Sequence, residues 1–173
     1  MIDTAEIRAQ ISEFSDAYDY DASYQTALLD ASPGAHAAFA AGMGMIAYRD
    51  VLPLDVHYVA RITMMQMEDC GACAQLNLRM AVEAGVDREV LECLIDAPDR
   101  LPSCLQDVRE HVRDVATGAQ RCPDRMRRLR DRYGEAGLSE LAVCLTGCRI
   151  FPTLKRAMDK TTACSKLSLE FLN

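Results

Sequence analysis

The sequence predicts an all-α protein of about seven to nine helices. Half of the residues are hydrophobic, only 6% are aromatic and Trp is absent. Ala, Leu and Met therefore supply much of the apolar content, which favours helix over sheet. Apolar residues also recur at helical spacing in one segment after another, and start and stop residues bracket those segments.

Taken in order, Asp3 is placed to cap a first helix, with Glu6 as the reciprocal half of a capping box and Ile7, Ile11, Phe14 and Tyr18 on one face. The Tyr- and Asp-rich stretch 16–24 predicts a bend before a short helix ending near Asp30. Ser32-Pro33 starts a third helix, with Ser as N-cap and Pro at the first position. Its small apolar residues, Gly34 to Tyr48, permit close approach and predict burial or a subunit interface; His36 reads as an ordinary partly buried histidine. Asp55 is expected to cap a central helix carrying two apolar stripes, Val56, Val59, Ala60, Thr63 and Met67 on one and Tyr58, Ile62 and Met65 on the other. Its methionines read as core filler.

A further apolar run, Leu76 to Ala84, ends at Gly85, and Asp87 opens the next helix, with Val90, Leu91, Leu94 and Ile95 inward. Pro98 and Pro102 flank a polar connector before a helix from Ser103 to Gly118, with Leu105, Val108, Val112 and Val115 facing the core. Arg121, Arg125, Arg128 and Arg132 form a ridge that reads as a solvated face, with subunit salt bridges as the alternative. Gly134 and Gly137 mark a break, and Leu138 to Phe151 reads as a buried helix with Cys144 and Cys148 as small hydrophobes. Pro152 should kink or interrupt that helix, and the tail from Thr161 is expected to be helical or loosely docked.

The 173 residues fit a single domain with a substantial core. A formal charge of −7 argues against nucleic-acid binding, which needs a basic footprint. No apolar run is long enough to span a bilayer. The acidic start, Met1-Ile2-Asp3-Thr4-Ala5-Glu6, lacks the order of a signal peptide. Eight cysteines in that context are expected to be mostly reduced thiols in the cytoplasm.

The chemistry centres on Met67-Glu68-Asp69-Cys70-Gly71-Ala72-Cys73-Ala74-Gln75-Leu76-Asn77, which holds the chain's one Cys-x-x-Cys pair. Cysteines so spaced at a helix start can close a small ring, and the unpaired N–H groups of the first turn stabilise thiolate. The bland alternative is two buried cysteines that happen to lie three apart. Cys70, Cys73, Cys104, Cys122 and His111 offer enough ligands for zinc, but a second closely spaced pair is lacking, so no metal is expected.

The stretch Val56 to Asp87 resembles the alkylhydroperoxidase D-like (AhpD-like) branch of the carboxymuconolactone decarboxylase superfamily, and Leu129 to Leu141 is similar to that family's second half. The resemblance covers roughly residues 35–160, leaving an N-terminal extension of about 1–33. It implies a compact helical fold, a homo-oligomer (commonly a trimer or hexamer), and thiol-based peroxidase or disulfide chemistry that needs no cofactor, with a protein or small thiol as reductant. Cys70 and Cys73 carry over as catalytic residues. The family's Glu about twelve residues before the first cysteine and its His four after the second do not: those positions hold Tyr58 and Asn77, and the frequent His inside the motif is Ala72.

Asn77 can hydrogen-bond a sulfur one turn away without taking its proton, and Tyr58 can donate a hydrogen bond but is a poor base at neutral pH. His57, Arg61 and Glu68 lie near one helical face and offer a substitute relay, against the plain reading of His57 as a helix-end or surface histidine. The expected function is an antioxidant thiol oxidoreductase that reduces peroxides or partner disulfides. The alternatives are a non-redox helical oligomer, favoured by the missing relay residues, and a carboxymuconolactone decarboxylase-like enzyme using His57 as acid or base.

Overall fold

The computed structural model describes residues 3–120, 122–160 and 167–169, and all regular structure among them is helical. The helices are α1 (Thr4–Tyr18), α2 (Ser23–Ala31), α3 (Pro33–Ala47), α4 (Leu54–Met67), α5 (Gly71–Glu83), α6 (Arg88–Asp96), α7 (Ser103–Thr117) and α8 (Pro123–Ala157), with a 3₁₀ turn, Pro98–Arg100, before α7.

α4 is the axis of the fold. Every residue from Val56 to Met65 is buried, and α5, α7 and α8 pack around it, with α6 touching it more lightly. Ile62, Met64 and Met65 are almost fully enclosed, each worth about 1.5–3 kcal/mol relative to exposure. A helix enclosed on all sides must also bury its polar residues. His57, Arg61 and Thr63 are within it and have to find partners there or stay unpaired.

α8 packs against α3, α4 and α7. Gly134, at φ 66° and outside helical geometry, breaks it into an outer and an inner part. On the inner part, a Cβ at Gly147 would lie 2.5 Å from the Ile46 backbone nitrogen, so α3 and α8 approach backbone to backbone there. Pro152 does not interrupt the helix, which runs on to Ala157; Pro152, Cys148 and Lys155 are all buried, and this packing on both sides holds the ladder across the missing N–H. Glu140 accepts backbone N–H bonds from Asp50, Val51 and Leu52 at 3.1, 2.9 and 3.1 Å, fixing the α3–α4 connector to α8.

Local differences from the expectations have simple causes. Asp3 caps α1 through Ala5 and Glu6 N–H, but the Glu6 side chain pairs forward with Gln10 instead of closing a capping box. α4 starts at Leu54 with Pro53 as N-cap, whose fixed φ of −56° suits the entry; Asp55 sits inside the first turn and accepts from Val56 N–H. α3 buries only His36 and Ile46, because α2 and α8 cover one side and leave the other open. Val115 is 38% exposed, since the inward face of α7 ends at Val112.

Of the arginine ridge, Arg125 pairs with Asp114 and Arg128 with Asp107, tying α8 to α7, while Arg121 lies outside the described residues. Most of the tail from Thr161 lies outside them too. Within it, Ser168 exchanges backbone hydrogen bonds with the Gln75 side chain at 2.8 and 2.9 Å.

Candidate active site

The turn from α4 into α5 builds the cysteine site. Asp69 takes a left-handed conformation, φ 52°, so that Cys70 N–H reaches back to the Met65 carbonyl at 3.1 Å and closes α4. Cys70 then stands at the N-cap of α5, with no side-chain cap bond, and Cys73 one turn in. The two are joined as a disulfide with a Cα–Cα separation of 5.2 Å, inside the span such a bond requires. Cys70 is partly exposed and Cys73 is only 2% exposed, so the pair presents one sulfur outward and one inward.

Cys73 lies where two apolar clusters meet. It belongs to the main core around α4, while Ala72 and Leu76 beside it pack on a smaller cluster of Tyr20, Ala22 and Tyr24. The Tyr20 hydroxyl is 3.6 Å from Cys73 Sγ, and Lys155 Nζ, arriving from α8, donates to the same sulfur at 3.6 Å. The ammonium also sits 4.6 and 4.8 Å from the ring centres of Tyr20 and Tyr24. Lys155 is 4% exposed, and burial lowers its pKa from the ordinary lysine value, with Asp21 only partly opposing. Burial likewise raises the Tyr20 hydroxyl, which stays protonated.

Tyr20 is held by backbone: its N–H donates to the Ser15 carbonyl, and the Ser15 hydroxyl donates to the Tyr20 carbonyl. Arg79, donating to the Tyr18 carbonyl and paired with Asp19, locks this whole turn onto α5.

A cavity of about 620 Å³ opens beside the inward sulfur. Phe14, Tyr20, Met65, Leu76 and Phe151 are among its mostly apolar walls, and Cys73 is part of its lining. That is the size and character of a small-molecule pocket. His36 also borders it, buried, with neither ring nitrogen hydrogen-bonded.

The residues at the relay positions do something else. Asn77 donates to the Cys73 carbonyl at 2.7 Å, not to its sulfur, and accepts from Arg61 Nε at 2.7 Å. Arg61 Nη1 lies 3.4 Å from His57 Nε2, and its guanidinium stacks 4.8 Å over the Tyr58 ring. Tyr58, Asn77, His57 and Arg61 thus form one buried polar network that supports the Cys73 backbone without touching its sulfur.

Glu68 does not join His57 and Arg61. It follows the end of α4, where the chain turns away, and its carboxylate takes Arg149 and Arg156 at 2.6 Å each. His57 is buried, 3% exposed, contrary to the surface-histidine reading, and is not among the walls of this cavity. No group of three or more His, Cys, Asp or Glu side chains placed to hold a metal occurs among the described residues.

Sequence reasoning passed over Tyr20 and Lys155. A signal existed for the lysine: Leu145, Cys148, Pro152 and Lys155 run along one face of α8, and a lysine continuing an inward stripe asks for a partner. Comparison of the chain with family models, with curated proteins and with solved structures gives no match. No helix among the described residues is long and apolar enough to cross a membrane.

Proposed function

We propose that the chain is a thiol oxidoreductase in which Cys70 and Cys73 cycle between dithiol and disulfide. The observation that carries this reading is the placing of the pair on the first turn of α5, one sulfur part-exposed and the other lining an apolar cavity beside a buried ammonium. With a hydroperoxide, a thiolate attacks the terminal oxygen, the O–O bond breaks, and an alcohol leaves behind a sulfenic acid. The second thiol then attacks that sulfur and releases water, so two thiols and one peroxide give a disulfide, an alcohol and water. With a partner disulfide the same pair exchanges through a mixed disulfide.

The apolar walls favour organic hydroperoxides, and a protein dithiol or small thiol regenerates the pair through the part-exposed Cys70. The resemblance to alkylhydroperoxidase D-like proteins supports the same chemistry, and the expected mostly reduced thiols fit a cytoplasmic setting. The test uses reduced protein, cumene hydroperoxide and a small-molecule disulfide. Oxidation should join Cys70 to Cys73, and Cys70→Ser and Cys73→Ser should each abolish turnover. If both variants reduce the two substrates at the wild-type rate, the redox reading fails and a non-redox helical oligomer takes its place.

We also propose assembly into a homo-oligomer, a trimer or hexamer, through the open side of α3 and the connector after it. Ala38, Ala41, Tyr48 and Val51 are exposed there, the last two at 54% and 53%. Sedimentation should give a species larger than the 19.1 kDa chain; a monomer at micromolar concentration would refute it.

A further inference from the structure

We infer that Lys155 is the proton-handling catalytic residue of the cysteine pair, holding Cys73 as thiolate and delivering a proton to the oxygen that leaves. Its chemistry rests on the redox reading above. The pairing of lysine and sulfur rests on geometry alone.

A lysine normally buries its stem and extends its ammonium to water. Lys155 instead ends inside, 4% exposed, 3.6 Å from Cys73 Sγ. Such a charge is costly to bury without compensation. The groups facing it are the ring faces of Tyr20 and Tyr24, the Tyr20 hydroxyl and the sulfur; Asp21 acts on it only at longer range, and no carboxylate lies within ion-pair distance among the described residues. The rings offer partial compensation, and a full negative charge can arise only at the sulfur. The oxidised pair therefore leaves the ammonium under-compensated, and reduction creates the anion it lacks. Burial also makes this lysine a readier proton donor than a solvated one, as a general acid requires. It supplies what Tyr58 and Asn77, engaged with Arg61, do not.

The steps balance. Cys73, held as thiolate beside the Lys155 ammonium, attacks the terminal oxygen of ROOH, forming S–O and breaking O–O. The departing RO⁻ takes the proton from the ammonium and leaves as ROH. Cys70 then attacks Cys73 Sγ, forming S–S and breaking S–O. The hydroxide takes the proton that Cys70 has passed to Lys155 and leaves as water.

The test reads the sulfur directly. In reduced Cys70→Ser protein, where Cys73 alone reports at this site, the rate of iodoacetamide labelling is followed against pH by peptide mass. The midpoint should lie below the reference thiol value of about 8.5, and Lys155→Met should raise it by about one unit or more. In protein with both cysteines, Lys155→Met should slow single-turnover oxidation by cumene hydroperoxide about 100-fold. Lys155→Arg should keep the low midpoint and still lose rate, because guanidinium stabilises thiolate without giving up a proton. A midpoint at or above about 8.5 with Lys155 present overturns the inference with no further variant needed. So does a Lys155→Met protein with midpoint and rate unchanged. A lysine-dependent midpoint in a protein that consumes neither hydroperoxide nor disulfide leaves the pairing standing and overturns the redox reading instead.

Discussion

Two cysteine pairs lie in this molecule at nearly the same sequence spacing and in opposite settings. Cys70 and Cys73 stand at the first turn of α5, disulfide-bonded, one partly exposed and one against a cavity. Cys144 and Cys148 stand one turn apart in the middle of the inner part of α8, both completely buried and not linked. At the N-terminus the first turn has free N–H groups, and the N-cap residue, outside helical geometry, can swing its sulfur toward the residue three ahead. In mid-helix every N–H is used and the side chains are fixed by packing. Cys144 is nevertheless drawn below the ordinary thiol value, first by a hydrogen bond from Cys148 and then by His57, while Cys148 is pushed up by the same pairing and by burial. A lowered value alone gives the buried Cys144 no access to reagents, and it is access and helix position that separate the two pairs.

The largest expected effect tests that separation. In reduced native protein, an alkylating reagent should label Cys70 and Cys73 at least about 100-fold faster than Cys144 and Cys148, which react only when the core opens. Mass mapping of a labelling time course measures the ratio. Comparable rates would remove the distinction.

Glu140 offers a way to weaken it from one side. It lies one turn before Cys144 and holds the connector through three backbone N–H groups, of which that of Leu52 belongs to a fully buried residue. Glu140→Ala should cost about 2 kcal/mol in denaturant unfolding, chiefly through that orphaned donor, and should speed labelling of Cys144 while leaving Cys70 unchanged. Burial opposes ionisation of Glu140, but the bonds from Val51, Asp50 and Leu52 outweigh it and hold its pKa below the ordinary value. Its contribution is therefore complete above that ordinary value and is lost as pH falls through the depressed one. Smaller still, Cys148→Ala should cost about 1 kcal/mol by removing a buried sulfur, with no change in oxidation of the first pair.

How much of this was legible follows the same division between local and long-range. The helices, the central place of α4, the Ser32-Pro33 start, the Gly85 stop and the Cys-x-x-Cys position at a helix start all rest on neighbours within a turn or two. Tyr20 and Lys155 meet Cys73 across sequence separations of 53 and 82 residues, and no local pattern encodes such a meeting. The trio of His57, Arg61 and Glu68 divides in the same way. His57 and Arg61, one turn apart, do come together, while Glu68 is claimed by two arginines from α8 that helical periodicity on α4 could not reveal.

That claim on Glu68 leads to the smallest effect, and it bears on the site itself. Arg156 donates both to the Glu68 carboxylate at 2.6 Å and to its carbonyl at 2.9 Å, and Arg156 follows Lys155 directly on α8. The cluster thus sets the register between the turn that ends in Cys70 and the helix that delivers the lysine. Each arginine is about half exposed while the carboxylate is only 10% exposed, so the pairs are worth at most about 1 kcal/mol together once solvent screening is counted. Burial would raise the Glu68 pKa, but hydrogen bonds from Arg156 and Arg149 prevail and hold it below 4.5. The folded value being the lower one, the stabilisation is present above about 4.5 and disappears as pH falls through the depressed value. Glu68→Gln should remove up to about 1 kcal/mol at neutral pH, and the difference from the native protein should shrink toward zero in acid. It should also slacken the hold of Lys155 on Cys73, so the labelling midpoint of Cys73 should rise by less than in Lys155→Met. Stability measured across pH, together with that midpoint, decides the matter: a difference that persists at low pH, or a midpoint that does not move, would mean the arginine cluster has no part in positioning the lysine.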